Sequence, residues 1–373
     1  MQYCYQGWFR FLLAVFVLVS HTAPKYFQNH SDVISKFQLG NFAVAGFFVL
    51  SGYLMFSAIL NVYSGNPERF IINRYLRISL PLFFASVISI FIHFFVFGGF
   101  SSDIFSFNNV ISAISGAIFP FNFLITKSFG VVDVQYDFVR YIWAVFTELI
   151  FYWFVLFLGF SFIIFNVFLR RLVVFSIFSL YIFATVFSIY VNHFSIHGDL
   201  LRDVPLIFHF QWGFHFMLGM SMYVVINHPH KLLSVLAMIF CLVGAIFQFC
   251  LYTIQGGADF KFYPVLFYVL CVIIIYHICI RENGIEFMGR GVPKHIDQKL
   301  GSISYPLYIN HFSIFLLLEP LIYNVSDGAV PMVKFIVYVS FVIVTCFLSL
   351  LIISISDRVT DHLRDRVRGL KFS

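Results

Sequence analysis

Charge is what this sequence has least of. Asp, Glu, Lys and Arg together make up 11% of its 373 residues, against about a quarter in a soluble globular domain, and that scarcity excludes an ordinary water-soluble globule. Cysteine is sparse as well. Cys4, Cys241, Cys250, Cys271, Cys279 and Cys346 lie in or beside apolar runs without a Cys-x-x-Cys spacing, so they read as small packing residues and imply neither a disulfide nor a metal. No two histidines have the His-Glu-x-x-His spacing of a zinc site, and the scattered acids form no calcium or magnesium cage; no metal is expected. Internal repeats, heptads and low-complexity tails are absent too.

What the chain has instead is apolar length. Hydrophobic residues are 61% of it, and windows able to cross a hydrocarbon core of about 30 Å fall at 5–22, 41–62, 78–98, 138–165, 172–191, 206–226, 233–252, 263–280, 301–322 and 334–355. The expected fold is all-α: a polytopic membrane protein of about ten transmembrane helices, forming one integral membrane domain over 1–373 with no fused soluble domain. The 54 phenylalanines read as a composition bias and lipid-facing filler. A formal charge of +6 does not point to nucleic acid, because the basic residues are spread over short loops. Of the 23 Lys and Arg residues, 16 fall on the side of Arg10, which predicts cytoplasmic termini. The first apolar stretch ends in Ser20-His21-Thr22-Ala23-Pro24. That end lacks a small-x-small cleavage pattern, so a retained first span is expected rather than a signal peptide. The connection over 99–137 is rich in Ser, Asn, Gly and Phe, too apolar for a free linker, and reads as a re-entrant or capping segment.

Ionisable residues inside these windows carry the functional argument, since burying them in hydrocarbon is costly. Arg10 and His21 are eleven residues apart in the first span. On a helix that is about three turns, so both project from nearly the same face, about 16 Å apart along the axis. Arg74 and Arg77 share a helix face if residues 68–80 are helical; paired guanidiniums there either fix topology or form a fork for phosphate. Ser51-Gly52 in the second span either permits close helix packing or thins the helix beside a ligand. Glu148, in Trp143-Ala-Val-Phe-Thr-Glu148-Leu-Ile-Phe-Tyr152, needs a partner, for which His21, Arg140 and another intramembrane cation are candidates beside a structural hydrogen bond. Ser304, Tyr308 and His311 recur at i, i+4 and i+7 as a polar stripe expected to face inward. His311 itself reads either as an interhelical hydrogen bond or as a substrate contact. His209 and His215 are weaker candidates for holding a polar acceptor.

Taken in order, these segments resemble the membrane-bound acyltransferase 3 family, which includes O-acetyltransferases of bacterial surface polysaccharides. The resemblance rests on Arg10 and His21 as an Arg-x10-His motif, on Phe47-Phe48-Val-Leu-Ser51-Gly52, and on Arg74-x-x-Arg77 with Pro81. It continues with Trp143-x4-Glu148-x2-Phe151-Tyr152 and ends with Ser304-Tyr305-Pro306-Leu-Tyr308-x2-His311. Departures are small: Tyr53 where phenylalanine is commoner, Ala144 in place of a small hydroxyl residue, and no proline after Tyr152. Some relatives carry a fused hydrolase-like domain, and none is expected here.

The resemblance implies transfer of an acyl group, most often acetyl from acetyl-CoA, to a sugar hydroxyl of a surface polysaccharide or lipid-linked glycan. It places the chain, among membrane lipids, in the bacterial inner membrane. No permanently bound cofactor is implied; acetyl-CoA is a co-substrate. On this reading Arg74 and Arg77 bind CoA phosphates, Arg10 positions the donor, and His21 is the general base. Glu148 orients His21 or stabilises its imidazolium. Ser51, Trp143, Tyr152, Tyr305, Tyr308 and His311 are candidates for the pocket and acceptor. Direct transfer and an acyl-histidine intermediate both remain open. The alternative is a glycan or lipid-linked-sugar transporter or flippase, which calls for half-repeats or paired broken helices that the sequence does not show.

Overall fold

A backbone in hydrocarbon has to satisfy its own N–H and C=O groups, and a helix does so within one segment. The computed structural model describes residues 6–27, 37–96, 114, 143–194, 205–229, 231–255, 262–282, 293–326 and 330–369, and among them every regular element is helical, with no strand. The fold class is all-α, as expected. In chain order the helices are α1 (Gln6–Tyr26), α2 (Leu39–Ser57, prolonged by a π turn over Ala58–Val62), α3 (Pro67–Val96), α4 (Trp143–Ile164) and α5 (Val167–His193). There follow α6 (Pro205–Phe210), α7 (Gly213–Asn227), α8 (Leu232–Gln255), α9 (Phe262–Glu282), α10 (Lys294–Ser326) and α11 (Pro331–Gly369). Arg140, Cys4 and, apart from Ile114, the 99–137 connection lie outside the described residues.

Among the described residues, eight helices are long and apolar enough to cross a membrane: α1, α2 with its π turn, α3, α4, α5, α8, α9 and α11. The other two expected spans take a different form. Residues 206–226 are divided between α6 and α7, parted at Gln211–Trp212, and neither piece is a full crossing by itself. Gly213, just after the break, lies so close to α5 that a Cβ would stand 2.0 Å from Thr185 Oγ1. Residues 301–322 lie within α10, whose 33 residues make about 50 Å of helix. That length suffices, but buried Ser304, Asn310, His311 and Ser313 make α10 less apolar than its neighbours. The third span also starts earlier than expected, at Pro67, so Arg69, Arg74 and Arg77 ride on the membrane helix itself.

The chain divides into two compact units. The first comprises Met1–Gly40, Leu76–Ile142 and Arg290–Ser373, and in it α1 packs along α10 and α10 along α11. Asp297, buried in the first turn of α10, accepts from Gly7 N–H at 3.1 Å and Trp8 N–H at 2.9 Å, filling two of the donors that a helix start leaves open. Gly7 makes this approach possible, since a Cβ there would stand 1.9 Å from the Asp297 carbonyl oxygen. At the other end of α1, the Thr22 and Tyr338 hydroxyls meet at 2.7 Å. The later part of α3 joins α10 through Ser89 and Ser313, 2.8 Å apart.

The second unit comprises Asn41–Tyr75 and Trp143–Gly289. α2 and α7 cross through glycines on both sides: a Cβ on Gly52 would meet the Phe216 carbonyl oxygen at 2.1 Å, and one on Gly219 the Val49 carbonyl oxygen at 2.0 Å. Small residues at such a crossing let backbones touch where no hydrophobic force separates helix from lipid. Around them α4 packs on α5, α7 on α8, and α8 on α9. Phe168, Phe175 and Phe183 of α5 are exposed, in keeping with phenylalanine as filler on a lipid-facing side.

Candidate active site

In the first unit the chemistry gathers on α1 and α10. α1 is a continuous helix through Arg10 and His21, so their eleven-residue spacing puts both on nearly the same face, and both are half-buried. His21 Nδ1 lies 2.9 Å from His311 Nε2, with the two rings nearly parallel and 5.1 Å apart between centroids. His311 is fully buried, and its Nδ1 donates to the Tyr308 backbone carbonyl at 2.7 Å. Gly40 stands by the other edge of His21, where a Cβ would come 3.9 Å from Nε2.

The α10 stripe read from the sequence is buried at Ser304, Tyr308 and His311, and His311 makes an interhelical bond, to His21. Tyr305 donates its hydroxyl to the Ile78 carbonyl of α3 at 3.1 Å. That is one residue beyond Arg77, whose own carbonyl has lost its helical donor to Pro81. Arg77 is exposed.

In the second unit Glu148 Oε1 accepts two hydroxyls, from Ser51 at 2.6 Å and from Tyr152 at 2.5 Å. Tyr152 lies one turn beyond Glu148 on α4, a spacing that brings side chains together, while Ser51 comes from α2 beside the Gly52 crossing. Among the partners considered for Glu148, Arg140 lies outside the described residues, and the groups that bond the carboxylate here are hydroxyls. Phe70 packs edge-on against Tyr152 at 6.0 Å and carries the Arg74 guanidinium 5.7 Å from its ring centre, within reach of a cation–π attraction. Arg74 Nε is buried with no hydrogen-bond partner among the described residues. Arg74 and Arg77, one turn apart on α3, thus fall in different units, the division coming between Tyr75 and Leu76.

Trp143 sits in an aromatic cluster, 5.3 Å from Trp212 and 5.8 Å from Phe208. His209 bonds Thr147 at 2.8 Å. His215 is fully buried between Tyr268, at 2.6 Å, and Gln248, a packed polar network rather than an open binding edge. Sequence reasoning missed Asp297, Gly7 and Gly40. The only trace of the first was a lone acid in a basic stretch four residues before Gly301, and a glycine at a helix start has no signal of its own.

Among the described residues, eight helices long and apolar enough to cross a membrane define a multi-pass membrane protein. The chain belongs to the acyltransferase 3 family, whose acyltransferase domain matches residues 7–354, and it is a membrane acyltransferase. The matched stretch takes in helices of both units. No curated protein and no solved structure matches the chain.

Proposed function

We propose that the protein is an O-acetyltransferase of the bacterial inner membrane, moving acetyl from acetyl-CoA to a sugar hydroxyl of a surface polysaccharide or lipid-linked glycan. The observation that carries this reading is His21, a half-buried imidazole inside a membrane helix, held through Nδ1 by His311 at 2.9 Å. An imidazole so held acts as general base. It takes the proton of the acceptor hydroxyl as that oxygen attacks the thioester carbonyl carbon; the carbon–sulfur bond breaks, and the proton passes on to the CoA sulfur, leaving an acetyl ester and free CoA. Arg74 and Arg77 hold the CoA phosphates, and the unpartnered Nε of Arg74 supports that assignment, because a buried guanidinium donor without an acceptor is costly until an anion completes it. Arg10 positions the donor. Glu148 already gathers two hydroxyls at one oxygen, and its other oxygen serves to accept a sugar hydroxyl.

The test is mass spectrometry of surface glycans from cells lacking the gene and from cells complemented with wild-type, Arg10→Ala or His21→Ala protein. The wild-type gene is expected to restore one acetyl mass per modified residue, and His21→Ala to fall by about 10²–10⁴ in rate, the range of general acid–base catalysis. Glycans unchanged by deletion would overturn the acceptor class, and a fully active His21→Ala would overturn the base.

A further inference from the structure

We infer that His311 is a positioning residue that sets the tautomer of His21, so that the lone pair of the base sits on Nε2. This role rests on His21 being the base, and its starting point is an atom with no choice. The Tyr308 backbone carbonyl can only accept, so the 2.7 Å contact with His311 Nδ1 puts a proton on that nitrogen. A neutral imidazole has one N–H, which leaves His311 Nε2 a lone pair. Facing it at 2.9 Å, His21 Nδ1 has to be the donor, since two lone pairs repel at that distance. His21 Nε2 is then the unprotonated nitrogen.

The chain of bonds runs from a backbone carbonyl, through one imidazole, to the atom that takes the proton. Its anchor is a main-chain carbonyl three residues before His311 on the same helix, a group that can only accept. When His21 is protonated during transfer, its Nδ1–H bond to His311 becomes charge-assisted and shortens the odds against the imidazolium. A neutral imidazole thereby does what a carboxylate does in the serine-hydrolase triad, without a second charge inside the membrane.

The experiment compares full-length His311→Gln, His311→Leu and His21→Ala in proteoliposomes supplied with acetyl-CoA and acceptor glycan. Gln offers an amide oxygen that accepts from His21 Nδ1; Leu offers nothing. Expected is a kcat for His311→Gln lowered by no more than about threefold, and for His311→Leu by about tenfold or more, with the KM for acetyl-CoA little changed in either. Equal kcat values for Gln and Leu would overturn the positioning role. Should the Leu protein fail to fold, nitrogen-15 NMR of histidine-labelled wild-type protein in membranes decides, with His21 assigned from its loss in His21→Ala. A bare Nε2 and a protonated Nδ1 are expected, and a proton on Nε2 would overturn the inference. Full activity in His21→Ala would instead remove the base reading, and the NMR result would still report the tautomer.

Discussion

Arg74 combines two features: its guanidinium lies over the Phe70 ring, and its Nε is buried without a hydrogen-bond partner among the described residues. The ring holds the guanidinium by a cation–π attraction, and its unpartnered N–H is open to a phosphate oxygen. Arg74→Ala is expected to raise the KM for acetyl-CoA by about tenfold or more, the worth of one charge-assisted hydrogen bond, with a smaller effect on kcat. Arg74→Lys restores the charge without the fork and should recover only part of the loss. Steady-state transfer at varied acetyl-CoA measures both, and an unchanged KM in Arg74→Ala would remove this residue from donor binding. Ser51→Ala supplies a contrast: it takes one donor from Glu148 Oε1 and should alter the KM for the acceptor while leaving that for acetyl-CoA within about twofold.

Helix α1 depends on a carboxylate 290 residues away in sequence. Asp297→Ala leaves the Gly7 and Trp8 N–H groups without their acceptor, and the expected cost is about 1–3 kcal/mol, read as a lower thermal midpoint in detergent; an unchanged midpoint would mean that water or another group caps the helix as well. Gly219→Val belongs to the same scale. With a Cβ 2.0 Å from the Val49 carbonyl oxygen, α2 and α7 have to part, and overpacking of about 1–3 kcal/mol or more follows. The helices themselves were legible in the sequence, because a window that has to cross hydrocarbon advertises its length and apolarity. So were Arg10, His21, Glu148 and the α10 stripe, because polar groups stand out there. Their partners were not. His311 reaches His21 across 290 residues and Ser51 reaches Glu148 across 97, and nothing in local spacing encodes such pairs. The break at Gln211–Trp212 escaped notice for a related reason, as hydropathy averaged over a span-long window does not register a two-residue buried turn.

At the scale of the whole molecule, parity makes topology testable. Among the described residues eight helices are long and apolar enough to cross a membrane, and an even number of crossings returns a chain to the side where it began. With α6–α7 and α10 both crossing, the described helices make ten crossings, the number expected from the sequence. Counted on those ten spans, the bias of 16 Lys and Arg residues out of 23 towards the side of Arg10 predicts cytoplasmic termini. A phosphatase that is active only outside the cytoplasm should therefore be inactive when fused after Ser373 and active when fused into the connection between α1 and α2. A fluorescent protein after Ser373 should fold and emit. The outcome bears on the proposed donor site, because Arg74 and Arg77 lie in the early turns of α3, on the side that the charge count assigns to the cytoplasm. Phosphatase activity at the C-terminus would overturn the assignment of both termini to the cytoplasm.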